Sequence, residues 1–139
     1  MPRALGVDLG SKRIGIAVSD SLGVVATPVG TISRSGDEVR DHDAIIEHAR
    51  EYRCAQIVVG MPRALDGSIG PAARAAQAEI ERLSQRAEEF DVTSYDERMT
   101  SVIANRALGD LGVRAKKKKA HVDGMAAAVM LQGFLERAK

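Results

Sequence analysis

The sequence predicts an α/β fold: a mixed five-stranded sheet, three antiparallel strands and then parallel strands, flanked by helices. Three observations carry this. Strand-like segments crowd the first 33 residues. Strand and helix patterns alternate after them. The composition, 45% apolar and 28% charged, is that of a chain with a packed core. Its 139 residues are the size of one domain, taken here as 1–139.

Arg3 to Leu9 is a short apolar run closed by Gly10, which reads as a buried strand. Gly10-Ser11-Lys12 turns the chain, and Ile14, Ile16 and Val18 alternate with smaller residues as a second strand. Val24 to Thr31 forms a third, driven to the sheet edge by Pro28, which cannot donate to a ladder. Asp41 or Asp43 is expected to cap a helix carrying Ile45, Ile46, Ala49 and Tyr52 on one side. Gln56 to Gly60 is the fourth strand, and turn formers fill Met61 to Pro71. Ala73, Ala76, Ile80, Leu83 and Ala87 mark one helix face and leave Glu79, Glu81, Arg82 and Arg86 mostly outside it. Val92 to Tyr95 is the fifth strand. Met99, Val102, Ile103, Ala107 and Leu111 predict a helix stopped by Gly112. A basic loop, Lys116 to Lys119, leads into a final helix from Val122 to Lys139.

Several classes are excluded. The uncharged stretch from Val24 to Ser33 is broken by Pro28 and Gly30 and is far too short to span a bilayer. No apolar leader precedes the first strand, so a cytoplasmic protein without membrane contact is expected. Cys54 is alone, which excludes an internal disulfide and a cysteine-built zinc site. His42, His48 and His121 are scattered and are expected at the surface or as caps. Gly10 to Gly15 has the glycine spacing of a P-loop, but Ile16 stands where its lysine belongs.

The chemistry gathers at three acids. Asp8 interrupts Leu5-Gly6-Val7-Asp8-Leu9, where a carboxylate loses water unless it has a partner. Glu97 lies in Tyr95-Asp96-Glu97-Arg98-Met99-Thr100, at the carboxyl end of a strand, where open α/β sheets place their sites. Asp123 is in phase with Ala127, Met130 and Phe134 of the last helix. Each could be an ordinary turn or helix cap. Three such acids, each at an element end, point instead to one site. Hard oxygen ligands without His or Cys suit Mg2+ or Mn2+. A carboxylate cluster gripping two such ions suits in-line attack at phosphate.

The net charge of +1 hides an uneven distribution. Residues 98–121 carry +6, and Asp37 to Glu51 carry −4. Lys116, Lys117, Lys118 and Lys119 are therefore expected to hold a polyanion beside the acids. Only four aromatic residues are present, too few for base-stacking platforms, so nucleic acid would be held mainly by phosphate.

Four blocks in order resemble the YqgF family, whose members carry the labels Holliday-junction resolvase and pre-16S rRNA nuclease. They are Val7 to Asp20, then Val59-Gly60-Met61-Pro62 with Asp66-Gly67-Ser68, then Asp96 to Ser101, and finally Val122 to Ala127 with Leu131-Gln132. The likeness spans almost the whole chain. It implies a ribonuclease-H-like fold and a divalent-metal-dependent nuclease whose catalytic and metal-binding acids fall on Asp8, Glu97 and Asp123. The same reading sets Lys12, Arg13 and Arg98 with the lysine run as nucleic-acid contacts. The substrate it implies is an rRNA precursor, at the pre-16S 5′ end, or branched DNA. Junction cutting would need a homodimer with two sites; RNA trimming needs one. Two other classes compete: a non-catalytic nucleic-acid-binding module, and the sugar-kinase and actin-like ATPases, which need two copies of such a fold. The sequence departs from the family at Met61, where leucine is usual, and at Gly124, where serine is usual; the glycine is expected to weaken the helix beside Asp123.

Overall fold

The computed structural model describes residues 3–61, 70–96 and 124–137. Its strands are β1 (Arg3–Leu9), β2 (Arg13–Ser19), β3 (Ala26–Ser33), β4 (Cys54–Met61) and β5 (Asp91–Asp96). Three helices are described: α1 (Glu38–Glu51), α2 (Pro71–Arg86) and α3 (Met125–Arg137). The sheet order is β3-β2-β1-β4-β5. β1, β2 and β3 form the expected antiparallel meander, and β4 and β5 extend it in parallel from β1. The helix expected between Met99 and Leu111, the Lys116 to Lys119 loop and much of the Met61 to Pro71 loop lie outside the described residues.

Strand alternation sorts the sheet into two unlike faces. Leu5, Val7, Ile14, Ile16, Ile57 and Val59 pack with Ile45, Ile80 and Leu83 of α1 and α2. The opposite face is built from small residues, Ala4 and Ala17 among them, and takes Ala127, Ala128, Leu131 and Leu135 of α3. Gly6 shows why the residues are small: a Cβ there would stand 2.9 Å from the Leu131 Cβ. α3 is held at its far end by Gln132, whose Oε1 accepts from the Ala26 N–H at 2.8 Å and whose Nε2 donates to the Val24 carbonyl at 2.8 Å.

Three element boundaries differ from expectation, each for a local reason. β3 begins at Ala26 because the Asp20 carboxylate accepts from the Val24 and Val25 N–H groups (2.7 and 3.1 Å) and keeps both in the turn. α1 is capped by Asp37, whose Oδ1 accepts from Val39 N–H at 3.0 Å. The acid expected to cap it, Asp41, is instead buried and accepts from the N–H and the hydroxyl of Ser35 (3.0 and 2.8 Å). Asp43 is an exposed residue inside the helix. α3 starts at Met125 rather than Val122, because Gly124 has φ +87° and cannot continue a right-handed helix backward. The loss of helix propensity expected at Gly124 therefore has no helix to act on.

Candidate active site at the carboxyl end of β1

β1, β4 and β5 run parallel, so their carboxyl ends share one edge of the sheet. This is the edge where open α/β sheets place ligands. Asp8 lies there, half-buried, opposite Gly15 in the β1–β2 pairing. It belongs to the face covered by α3: a Cβ on Gly15 would lie 3.4 Å from the Asp8 Cβ, 3.6 Å from the Ala127 Cβ and 3.7 Å from the Gly124 Cα. On the other side the pairing of β1 with β4 ends at Val7 and Val59. Gly15, the partner of Asp8 on β2, thus adds no side chain beside this carboxylate. A carboxylate there presents hard oxygen donors where its partner residue on β2 adds no side-chain bulk, a setting that fits a hard divalent cation.

Gly10 closes the turn, its N–H donating to the Asp8 carbonyl at 3.1 Å. A side chain at Gly10 would meet the Arg13 carbonyl oxygen at 2.4 Å, so only glycine permits a turn this tight. Lys12 and Arg13 are exposed on the same turn, where cations can meet a phosphate backbone. Tyr95 packs edge-on against Phe134 of α3, and Asp96 ends β5 beside Met61 of β4. Of the expected site residues, Glu97, Arg98, Lys116, Lys117, Lys118, Lys119 and Asp123 lie outside the described residues. Among the described residues no three His, Cys, Asp or Glu side chains gather as a metal group, so this part of the chain contributes Asp8 from the expected set.

Sequence reasoning missed a polar network on the opposite face. His42 is fully buried, not superficial. Its Nε2 donates to Glu79 Oε2 at 2.8 Å, and its Nδ1 accepts from Arg86 at 2.6 Å. Glu79 also takes a bidentate pair from Arg34, at 2.7 and 3.1 Å. Glu79 had the spacing of a solvent-facing residue, and periodicity alone does not reveal that His42 and Arg34 draw it inward, whereas Arg86 stays exposed as expected. Burial pushes the Glu79 carboxyl up, but the hydrogen bonds from His42 and Arg34 prevail and hold it at about 2. Glu38, which accepts from Arg82 and Arg86, is likewise held at about 2.

The arrangement defines a class: a ribonuclease-H-like fold with a carboxylate at the end of its central strand. Thermus thermophilus RuvC in complex with a Holliday junction substrate superimposes with a TM-score of 0.59 at 16% identity, covering 99% of this chain and 96% of that one. A second structure of that RuvC gives 0.58 at 14% identity, covering 98% and 96%. At these identities the likeness establishes the fold. The chain belongs to the RuvX family, described as Holliday junction resolvase, which matches residues 2–137; it is a member of a nuclease family. Curated relatives bear the name "Putative pre-16S rRNA nuclease". The protein from Nocardia farcinica is 45% identical over 96% of this chain and 77% of its own length. That from Acetivibrio thermocellus is 40% identical, with 96% and 95% covered. That from Bacillus cereus is 41% identical, with 97% and 98% covered. Among the described residues no helix is long and apolar enough to cross a membrane.

Proposed function

We propose that the chain is a divalent-metal-dependent nuclease that processes the 5′ end of a pre-16S rRNA, with Asp8, Glu97 and Asp123 as its catalytic carboxylates. The observation that carries this is the half-buried Asp8, paired with Gly15 at the carboxyl edge of the sheet in a member of a nuclease family. Covalent neighbours support the other two acids: Asp96 ends β5 at the same edge, and Gly124 lies against Gly15.

Two ions, Mg2+ or Mn2+, would be held by these carboxylates. The chemistry such ions supply when bound is Lewis-acid stabilisation of the charge that develops as a phosphodiester is attacked in line. The residues of the chain do the rest. Asp8 offers its carboxylate oxygens from the central strand of the sheet. Gly15 beside it leaves room for a sugar–phosphate backbone to approach. Lys12 and Arg13, with Arg98 and Lys116 to Lys119, hold flanking phosphates by charge and leave base identity unread.

A cleavage panel tests the reading: pre-16S rRNA, single-stranded RNA, flaps and four-way junctions, each with Mg2+ or Mn2+. Wild-type protein should cut the rRNA precursor first. Asp8→Asn, Glu97→Gln and Asp123→Asn should each fold and bind RNA. Each should lose more activity than the ~10–100-fold that removal of an outer-shell partner costs. Preferred cutting of four-way junctions by a dimer would replace the RNA reading with junction resolution. Cleavage at the wild-type rate by Asp8→Asn would remove the site.

A further inference from the structure

The turn that follows Asp8 is tied to the helical layer by Arg34. Arg34, immediately after β3, donates from Nε to the Gly10 carbonyl at 2.9 Å, while its backbone N–H donates to the Lys12 carbonyl at 2.9 Å. The other edge of its guanidinium grips Glu79 of α2, and Glu79 accepts in turn from His42 of α1. Between the turn and α2 lies a groove of about 300 Å3, lined by Leu9, Gly10, Ala72 and Ala76 and crossed by the Arg34–Glu79 pair. Past Val7 the pairing of β1 with β4 stops, so Asp8 and Leu9 are registered to β2. β2 and this arginine therefore help to fix the last residues of the site strand.

We infer that Arg34, anchored by Glu79 and His42, is a positioning residue that sets the β1–β2 turn and, through it, the Asp8 carboxylate. The inference rests on Asp8 being a site residue, as proposed above. A guanidinium suits this role because it is planar and always charged, and its fork meets a carboxylate and a carbonyl at once. Arg34 touches no reacting atom. Its effect belongs in the rate of cleavage at saturating substrate and not in binding.

The test uses the full chain, with three readouts: kcat on the best substrate of the panel, Kd for the same RNA, and hydrogen exchange at the Gly10 amide, whose N–H closes the turn. Arg34→Met should speed Gly10 exchange and lower kcat by about 10- to 100-fold, the penalty of a site group displaced by about 1 Å. Kd should stay within about twofold, because the phosphate-binding cations are untouched. Arg34→Met strands Glu79, so Arg34→Met/Glu79→Gln should regain thermal stability while kcat stays low. Arg34→Lys keeps a cation beside Glu79 without the fork, so it folds and still lowers kcat. Recovery of kcat together with stability in the double variant makes the role purely structural and overturns the inference. So does wild-type kcat in Arg34→Lys or unchanged Gly10 exchange in Arg34→Met. Cleavage by Asp8→Asn overturns the site reading itself, an outcome distinct from all three.

Discussion

At the residue scale, two carboxylates in this chain face opposite physical problems. Asp8 stands where Gly15 clears space beside it, and Glu79 stands where Arg34 and His42 converge on it. Because the folded Glu79 carboxyl is held at about 2, below its ordinary 4.5, it stabilises the fold fully above that ordinary value. The contribution drains away as pH falls from about 4.5 through 2. Acid titration of unfolding should therefore be shallower in Glu79→Gln than in wild type within that window, and coincident slopes would deny the ion pair its role. Glu79→Ala strands Arg34 beside a buried histidine, and it should cost about 3 kcal/mol in denaturant unfolding. The two acids differ in how plainly the sequence shows them. Asp8 is legible because it breaks an apolar strand, whereas Glu79 is not, because its helix pattern places it outside and its partners are 37 and 45 residues away.

At the element scale, the start of α3 is set by a single backbone dihedral. Gly124 has φ +87°, and a Cβ there would meet the Ile16 carbonyl oxygen at 2.7 Å and the Gly30 carbonyl oxygen at 2.9 Å. Gly124→Ala should cost about 2 kcal/mol or more, since a left-handed non-glycine residue alone costs about 1–3 kcal/mol. Thermal unfolding checks this, and an unchanged midpoint would mean that the helix start relaxes freely. The meander, the two parallel additions and the buried faces of α1 and α2 are readable in the sequence, because alternation and 3.6-residue periodicity report burial directly. Helix starts are less so. Asp37, Asp41 and Asp43 are all chemically competent caps, and only the contact of Asp41 with Ser35 separates them. Gln132 falls in a family motif that says nothing of its role; its two hydrogen bonds to Val24 and Ala26 show that it anchors α3 to the far end of the sheet.

At the scale of the whole molecule, the proposed division of labour separates gripping from cutting. Replacing Lys116, Lys117, Lys118 and Lys119 with alanine should flatten the salt dependence of duplex binding by up to about 3.6 in log–log slope. An unchanged slope in a binding titration would reduce the run to a solubilising segment. The sheet order has a consequence for how such a molecule comes into being. β1 pairs with β2 across a three-residue turn, so the strand bearing Asp8 can close at little entropic cost. α3 must wait: its anchors reach across 106 and 108 residues. The acid-bearing hairpin should therefore condense early, and the helix that covers it should dock late. Kinetic φ-values read this order: Ile16→Val should approach the high end of the scale and Leu131→Ala the low end, and the reverse ranking would refute it. A newly made chain thus assembles its first carboxylate long before the helix that encloses it has docked. In the interval the small-residue face of Ala4, Gly6 and Ala17 is open to water, and it is the surface on which nascent copies would stick to one another.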